Sequence, residues 1–183
     1  MKLAVLNCDE IKLSFSKKFG QYPAMFETAL NNLDIRYNIV SYDIQKGIYP
    51  KNIAENHVYI ITGSQSAVYE KHDWLENLFE FIREINKKEI GLIGICFGHQ
   101  AIAHALGGNV EKAKSGWHIG LKPLEVQDNE LFMKRSYQLI FNHQDQVINP
   151  PSNAVCIGAT KHCRYALMTV SYTHLTLPTI SSV

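Results

Sequence analysis

A cysteine at the end of an apolar run is the residue of this sequence best suited to covalent chemistry. Cys96 follows the apolar segment 90–95 and lies within the run Gly94-Ile95-Cys96-Phe97-Gly98-His99-Gln100. The pattern Gly-x-Cys-x-Gly between a strand and a helix is typical of a nucleophile elbow, with cysteine in the place of serine. Small residues at Gly94 and Gly98 let such a sharp turn close without a Cβ clash. We therefore predict that Cys96 is a nucleophile, although a lone cysteine is more often an inert buried thiol.

The predicted surroundings of Cys96 suit attack on a carbonyl group. A sulfur at a helix N-terminus meets a partial positive charge, which favours the thiolate. The backbone N–H of Phe97 would point towards the place where an oxyanion forms. The chemistry also requires a general base and a carboxylate that orients it.

The elements that must position Cys96 alternate along the first part of the chain. Apolar runs predict strands at 3–6, 37–42, 58–61 and 90–95, and apolar residues at helical spacing predict helices over 22–33, 73–85 and 97–106. This alternation predicts an α/β fold with a mostly parallel central sheet and helices on both faces. After residue 110, the segments 117–126 and 137–141 have the pattern of strands without intervening helices. We expect them to be antiparallel additions to the sheet.

Composition excludes several classes of function. The chain has 183 residues, of which 46% are hydrophobic and 19% are charged, and its net charge is +1. It has no long run of like charge and no apolar stretch near the ~20 residues of a membrane span, so we expect neither nucleic acid nor a membrane as partner. The N-terminus does not resemble a signal peptide, and the four cysteines form no CxxC pair. We expect free thiols in the cytoplasm, with no metal site and no cofactor.

Four groups of residues resemble one known family. The run around Cys96 resembles the nucleophile motif of class I (triad-type) glutamine amidotransferases. Thr62-Gly63-Ser64 follows the third strand, where that family has its second oxyanion loop, and residues 141–147 (Phe-Asn-His-Gln-Asp-Gln-Val) resemble its glutamine-binding segment. Residues 69–74, together with Gly107-Gly108 and Gly116-Trp117, resemble a stand-alone subgroup similar to the amidotransferase domain of GMP synthase. The resemblance covers about residues 1–168 and implies the flavodoxin-like fold of this family.

The resemblance also implies a reaction and roles for particular residues. Cys96 would attack the side-chain amide of glutamine, ammonia would leave, and the γ-glutamyl thioester would be hydrolysed to glutamate. Phe97 and the loop at Gly63 and Ser64 would supply the oxyanion N–H groups, with Ser64 standing where the family usually has a second glycine. The residues that would hold the amino-acid end of glutamine are Gln100, Asn142, His143, Gln144 and Asp145. The ammonia would pass to an acceptor or to a separate synthase subunit.

The base that the family uses is absent from this sequence. In the family the base and its carboxylate come from a late His-Pro-Glu motif, which this chain lacks. Residues 170–179 (VSYTHLTLPT) resemble instead the translation of a transposase-type sequencing adapter. We therefore expect residues 1–168 to be an incomplete amidotransferase domain and residues 169–183 to be a non-native tail. Such a truncation would leave a sheet position open. We would also expect little or no glutaminase activity from this chain. The histidines weighed as a substitute base, none of which is expected to act as one, are His99, His104, His143, His162 and His174.

Two other hypotheses stay open at this point. The chain could be another hydrolase with a cysteine elbow, such as a γ-glutamyl hydrolase-like peptidase or a DJ-1-like protein. It could also be a non-catalytic binding or regulatory module with a degenerate site, which the missing triad supports. The Gly-His-Gln after Cys96 and the Asn-His-Gln-Asp segment favour the amidotransferase.

Overall fold

The computed structural model describes residues 1–31, 36–127, 131–170 and, for the backbone, 174–177. Up to residue 105, strands and helices alternate. In chain order these elements are β1 (Lys2–Asn7), α1 (Leu13–Phe19), α2 (Tyr22–Leu30), β2 (Asn38–Asp43), β3 (Val58–Ile61), α3 (Asp73–Lys87), β4 (Gly91–Ile95) and α4 (Phe97–Ala105). Two short 3₁₀ helices, Ile44–Lys46 and Ile53–Glu55, lie between β2 and β3. The predicted strands and helices are confirmed, except that α1 was not predicted and the predicted end of α2 at Leu33 lies outside the described residues.

The described secondary-structure elements after α4 are all strands. They are β5 (Asn109–Lys112), β6 (His118–Val126), β7 (Ser136–His143), β8 (Asp145–Asn149), β9 (Ala154–Ala159), β10 (Leu167–Val170) and β11 (His174–Leu177). The predicted strands at 117–126 and 137–141 are β6 and β7. The short strands β5, β8, β9 and β10 were not predicted.

The central sheet has nine strands in the order β2-β1-β3-β4-β11-β10-β9-β6-β7. The pairs from β2 to β11 are parallel, and those from β11 to β7 are antiparallel. This arrangement confirms the predicted α/β fold with antiparallel additions. Strands β5 and β8 form a separate antiparallel pair, which places residues 145–149 beside the chain that follows α4.

Helices cover both faces of the parallel part of the sheet. On one face, Leu6, Ile61 and Leu92 are buried in the same core as Leu78 of α3 and Ile102 of α4. On the other face, side chains of α2 and Ile95 line a small apolar cavity of about 150 Å³. Neither α1 nor α2 contains a fully buried residue, so the helical cover on this face is thinner.

The sheet position beside β4 is filled, although we expected it to be open. Strand β11 pairs in parallel with β4, with Leu177 opposite Ile95, and in antiparallel with β10. The expectation of an empty position is therefore wrong. Strand pairing uses backbone N–H and C=O groups, which all residues except proline offer in full. A segment can therefore close such a gap whatever its origin.

The four cysteines are free thiols, as expected. Among the described helices, none is long and apolar enough to cross a membrane.

Candidate active site

The sharp turn at Cys96 is strained in its backbone. Cys96 lies between β4 and α4 with φ 55° and ψ −109°, a region that residues with a side chain rarely adopt. The carbonyl group of Cys96 accepts a hydrogen bond from the N–H of Gln100 at 3.2 Å, so α4 begins on the turn itself. Such strain persists only where the surrounding structure fixes it, and it concentrates at functional sites. The predicted strand-turn-helix arrangement is therefore present.

Close packing requires glycine on both sides of Cys96. A Cβ atom at Gly94 would lie 2.5 Å from the carbonyl oxygen of Gly98. A Cβ atom at Gly98 would overlap the carbonyl oxygen of Ile61 at the end of β3. The two glycines thus let α4 approach β3 and β4 closely enough for the turn to form.

The protein around Cys96 holds its thiol in the protonated form. Burial raises the pKa of Cys96, a hydrogen bond from the backbone N–H of Phe97 lowers it, and the negative charge of Asp145 raises it, with a net value of about 11. The contribution of the helix N-terminus, through the N–H of Phe97, has the expected direction, but desolvation outweighs it. At neutral pH the thiol needs a base to become a nucleophile.

The loop after β3 lies directly against the nucleophile. A Cβ atom at Gly63 would lie 3.8 Å from the Cβ of Cys96. The hydroxyl of Thr62 accepts a hydrogen bond from the N–H of Cys8 at 2.9 Å and donates one to the carbonyl of Gly63 at 3.0 Å. The carboxylate of Asp9 accepts a bond from the N–H of Gln65 at 2.7 Å. Sequence reasoning missed Asp9, because it lies far from this loop in the chain and has no motif of its own.

A network of hydrogen bonds centres on Asp145, the first residue of β8. The backbone carbonyl of Asp145 accepts a bond from the side-chain amide of Gln100 at 3.0 Å and lies 2.9 Å from Nδ1 of His143. The hydroxyl of Tyr69 donates to the Asp145 carboxylate at 3.0 Å. Burial, and then the carboxylate, raise the pKa of Tyr69 to about 12, so the hydroxyl stays a donor at neutral pH. The predicted glutamine-binding segment is thus tied to the helix that follows Cys96.

A cavity of about 400 Å³ lies between the turn at Cys96 and this segment. The predicted site residues that line it are Ser64, Cys96, Phe97, Gln100, Asn142, His143, Gln144 and Asp145. Gly63 is the exception, because it lines the small apolar cavity next to α2 instead. Tyr69, Lys112 and Trp117 also line the larger cavity. They were not predicted as site residues, although Tyr69 and Trp117 fall in segments that carry the family resemblance.

The histidines lie in different surroundings. His143 lines the cavity, and its Nε2 is buried without a hydrogen-bond partner among the described atoms. Burial lowers the pKa of His143, which favours the neutral ring. His99 is buried on α4, His104 packs against the ring of Phe79, and His162 is exposed and lies edge-on to His118. The side chain of His174 lies outside what the structure describes. The described hydrogen bonds include none between a histidine and the Cys96 thiol.

The described residues offer no group of three or more His, Cys, Asp or Glu side chains arranged to hold a metal ion.

The relatives of this chain include proteins of three kinds. A glutamine amidotransferase-like protein of Schizosaccharomyces pombe is 25% identical over 179 residues, which cover 90% of this chain and 72% of that protein. γ-Glutamyl peptidase 4 of Arabidopsis thaliana is 30% identical over 152 residues, 76% of this chain and 59% of the peptidase. The glutamine-hydrolysing GMP synthase of Limosilactobacillus reuteri is 29% identical over 174 residues, 90% of this chain but 31% of the synthase. The chain therefore spans only part of the length of these relatives.

Solved structures share the fold. A glutamine amidotransferase from Thermotoga maritima superposes with a TM-score of 0.80 at 22% identity, covering 96% of this chain and 74% of that one. A glutamine amidotransferase from Methylobacillus flagellatus gives a TM-score of 0.79 at 19% identity, covering 97% and 68%. The family model for class I glutamine amidotransferases matches residues 18–182. This chain belongs to the class I glutamine amidotransferase family.

Proposed function

We propose that the 400 Å³ cavity binds glutamine and that Cys96 cleaves its side-chain amide. The observation that carries the proposal is the position of Cys96, on a strained turn that faces the Asp145 network across the cavity. The carboxylate of Asp145 suits the α-ammonium group of an amino acid. Its orientation is fixed by Tyr69.

The proposed reaction proceeds in two halves. The sulfur of Cys96 attacks the amide carbon, and its proton passes through a base to the departing nitrogen, so that ammonia leaves and a γ-glutamyl thioester remains. Water then attacks the thioester, which releases glutamate and restores the thiol. In both halves the negative oxygen would accept hydrogen bonds from the N–H of Phe97 and from the loop at Gly63 and Ser64. The ammonia would then pass to an acceptor or to a separate synthase subunit.

We infer that the 183-residue chain itself turns glutamine over slowly. Burial raises the pKa of Cys96 to about 11, so only a small fraction of the thiol is ionised at pH 7 without a base. The histidine in the cavity, His143, directs Nδ1 to the Asp145 carbonyl, and its other nitrogen has no described partner. The site thus supports the binding of glutamine better than its chemical turnover.

The test is covalent labelling with a chloroketone analogue of glutamine. We expect one adduct at Cys96, formed with saturation kinetics, blocked by free glutamine and absent from Cys96→Ala. Intact mass and peptide mapping identify the labelled thiol, and Cys156 is the internal control because it is also partly exposed. Equal labelling of Cys96 and Cys156, without protection by glutamine, would refute the proposal. Fast glutamine turnover by this chain, lost in Cys96→Ala, would refute only the inference of slow turnover.

A second candidate substrate is a γ-glutamyl peptide or conjugate. The cavity of about 400 Å³ falls in the range of about 300–1,000 Å³ that holds ligands larger than one amino acid. Trp117 lines it and is 62% exposed, so it offers an apolar surface to a leaving group larger than ammonia. Stronger protection of Cys96 by a γ-glutamyl dipeptide than by glutamine would favour this candidate, and weaker protection would favour glutamine.

We also propose that residues 169–183 are not part of the natural domain. The proposal rests on the similarity of residues 170–179 to a translated adapter, and the backbone pairing of β11 is compatible with a segment of any origin. The family match, which extends to residue 182, is the observation against it. Sequencing an uninterrupted copy of the gene across the codon for Met168 tests it. We expect the reading frame to continue into a strand and His-Pro-Glu. A natural gene with the same residues 170–183 would refute it.

A further inference from the structure

A second cavity of about 410 Å³ shares no lining residue with the catalytic one. One wall is formed by β8, including Gln146, and the other by the turn between β9 and β10, at residues 159–165. Its volume falls within the range typical of small-molecule sites. The reaction proposed above makes no use of it.

Basic side chains line this cavity. Lys161, His162 and Arg164 all line it, and among the lining residues that the structure describes there is no aspartate or glutamate. The salt bridges between described residues involve neither Lys161 nor Arg164. In a chain with a net charge of only +1, this concentration of positive charge in a concave surface would attract an anion.

The basic turn is held in a defined conformation. The hydroxyl of Thr160 accepts hydrogen bonds from the N–H groups of His162 at 3.2 Å and Cys163 at 3.0 Å. The thiol of Cys156 donates to the carbonyl of Arg164 at 3.2 Å. A turn fixed in this way loses little conformational freedom when a ligand binds, which favours affinity.

Contacts with aromatic rings position two of the basic side chains. The guanidinium of Arg164 lies 5.3 Å from the ring centroid of Tyr165, and the ring of His162 lies edge-on to the buried His118 at 5.2 Å. A guanidinium offers paired donors that match phosphate oxygens, and an ammonium group adds a point charge. We propose that this cavity binds a phosphate-bearing small molecule, with its phosphate held by Lys161, His162 and Arg164.

The test measures binding by calorimetry to the 183-residue protein, with inorganic phosphate, pyrophosphate and ribose 5-phosphate as probes. We expect the double variant K161Q/R164Q to lose at least tenfold in affinity. The matched control R83Q/K87Q removes the same charge from exposed positions of α3 and should bind as the unchanged protein does. Because Lys161 and Arg164 are exposed, both double variants should unfold at the same urea concentration.

The outcomes distinguish a specific phosphate site from a general effect of net charge. Tighter binding of ribose 5-phosphate than of inorganic phosphate assigns a phosphorylated organic ligand, and the reverse assigns the free ion. Equal losses in K161Q/R164Q and R83Q/K87Q would mean that only net charge matters and would overturn the proposal. So would the absence of binding at millimolar probe, or a loss in K112Q alone, since Lys112 lines the catalytic cavity. None of these measurements depends on glutamine hydrolysis.

Discussion

The two sides of the catalytic cavity are built by different means. On the side of Cys96, the geometry comes from the backbone, through a strained φ angle and two glycines that allow a close contact of strand and helix. On the side of Asp145, it comes from side chains, since Gln100 and Tyr69 hold the segment by hydrogen bonds. A Cβ atom added at either glycine would overlap backbone atoms, which cannot move aside, so a single substitution should disrupt the turn. Single hydrogen bonds contribute about 1 kcal/mol each and fail gradually.

The largest effect is expected from Gly98→Ala, on the backbone side. The new Cβ would overlap the carbonyl oxygen of Ile61, and a backbone atom cannot give way as a flexible side chain can. We expect a loss of about 3 kcal/mol in the free energy of unfolding and no labelling of Cys96, measured by urea unfolding and mass spectrometry. Gly107→Ala is the control, because no described atom lies within 4 Å of a Cβ placed at this position. Its positive φ should cost only about 1 kcal/mol, and an equal loss in both variants would contradict the steric argument.

On the side-chain side, Asp145→Asn should have two opposed effects. Loss of the carboxylate weakens binding of the α-ammonium group, so the concentration of glutamine analogue for half-maximal labelling should rise by a factor of about ten or more. The carboxylate also disfavours the nearby thiolate, so its removal should lower the pKa of Cys96 from about 11. The labelling rate at saturation rises with pH as the thiolate forms, and its midpoint should therefore move to lower pH. An unchanged midpoint would mean that Asp145 does not act on the sulfur.

A smaller effect on the same side is expected from Tyr69→Phe. This change removes one hydrogen bond to the Asp145 carboxylate and leaves the ring in place. Since Tyr69 is 44% exposed, water can replace part of the bond. We expect a loss of about 1 kcal/mol in binding, or about fivefold in the half-saturating concentration of the analogue, with no change in the pH midpoint. Tyr37→Phe is a control, because that exposed hydroxyl bonds to α2 and its end.

The same contrast explains how much the sequence could predict. The turn at Cys96 was predictable because apolar strands, Gly94 and Gly98 are contiguous in the chain and their spacing specifies the geometry. The residue set around Asp145 was only partly predictable. Tyr69 lies in the loop after β3, and Lys112 is the last residue of β5, where it pairs with Asp145. The strands β5 and β8 have only four and five residues and no clear apolar alternation. The sequence did not predict that β11 occupies the position beside β4, because backbone pairing depends little on the pattern of side chains.

The smallest expected effect measures the strain at Cys96 itself. With φ at 55°, a residue with a Cβ atom should cost about 1 kcal/mol more than glycine. Cys96→Gly should therefore be about 1 kcal/mol more stable to urea than Cys96→Ala, and both should fail to label. Glu89 is a matched control, because it is exposed, has the same φ of 55° and lies outside the cavity. If Glu89→Gly exceeds Glu89→Ala in stability while the Cys96 pair shows no difference, the turn at Cys96 stores no strain. Gly94 and Gly98 would then have to fix the position of the nucleophile without it.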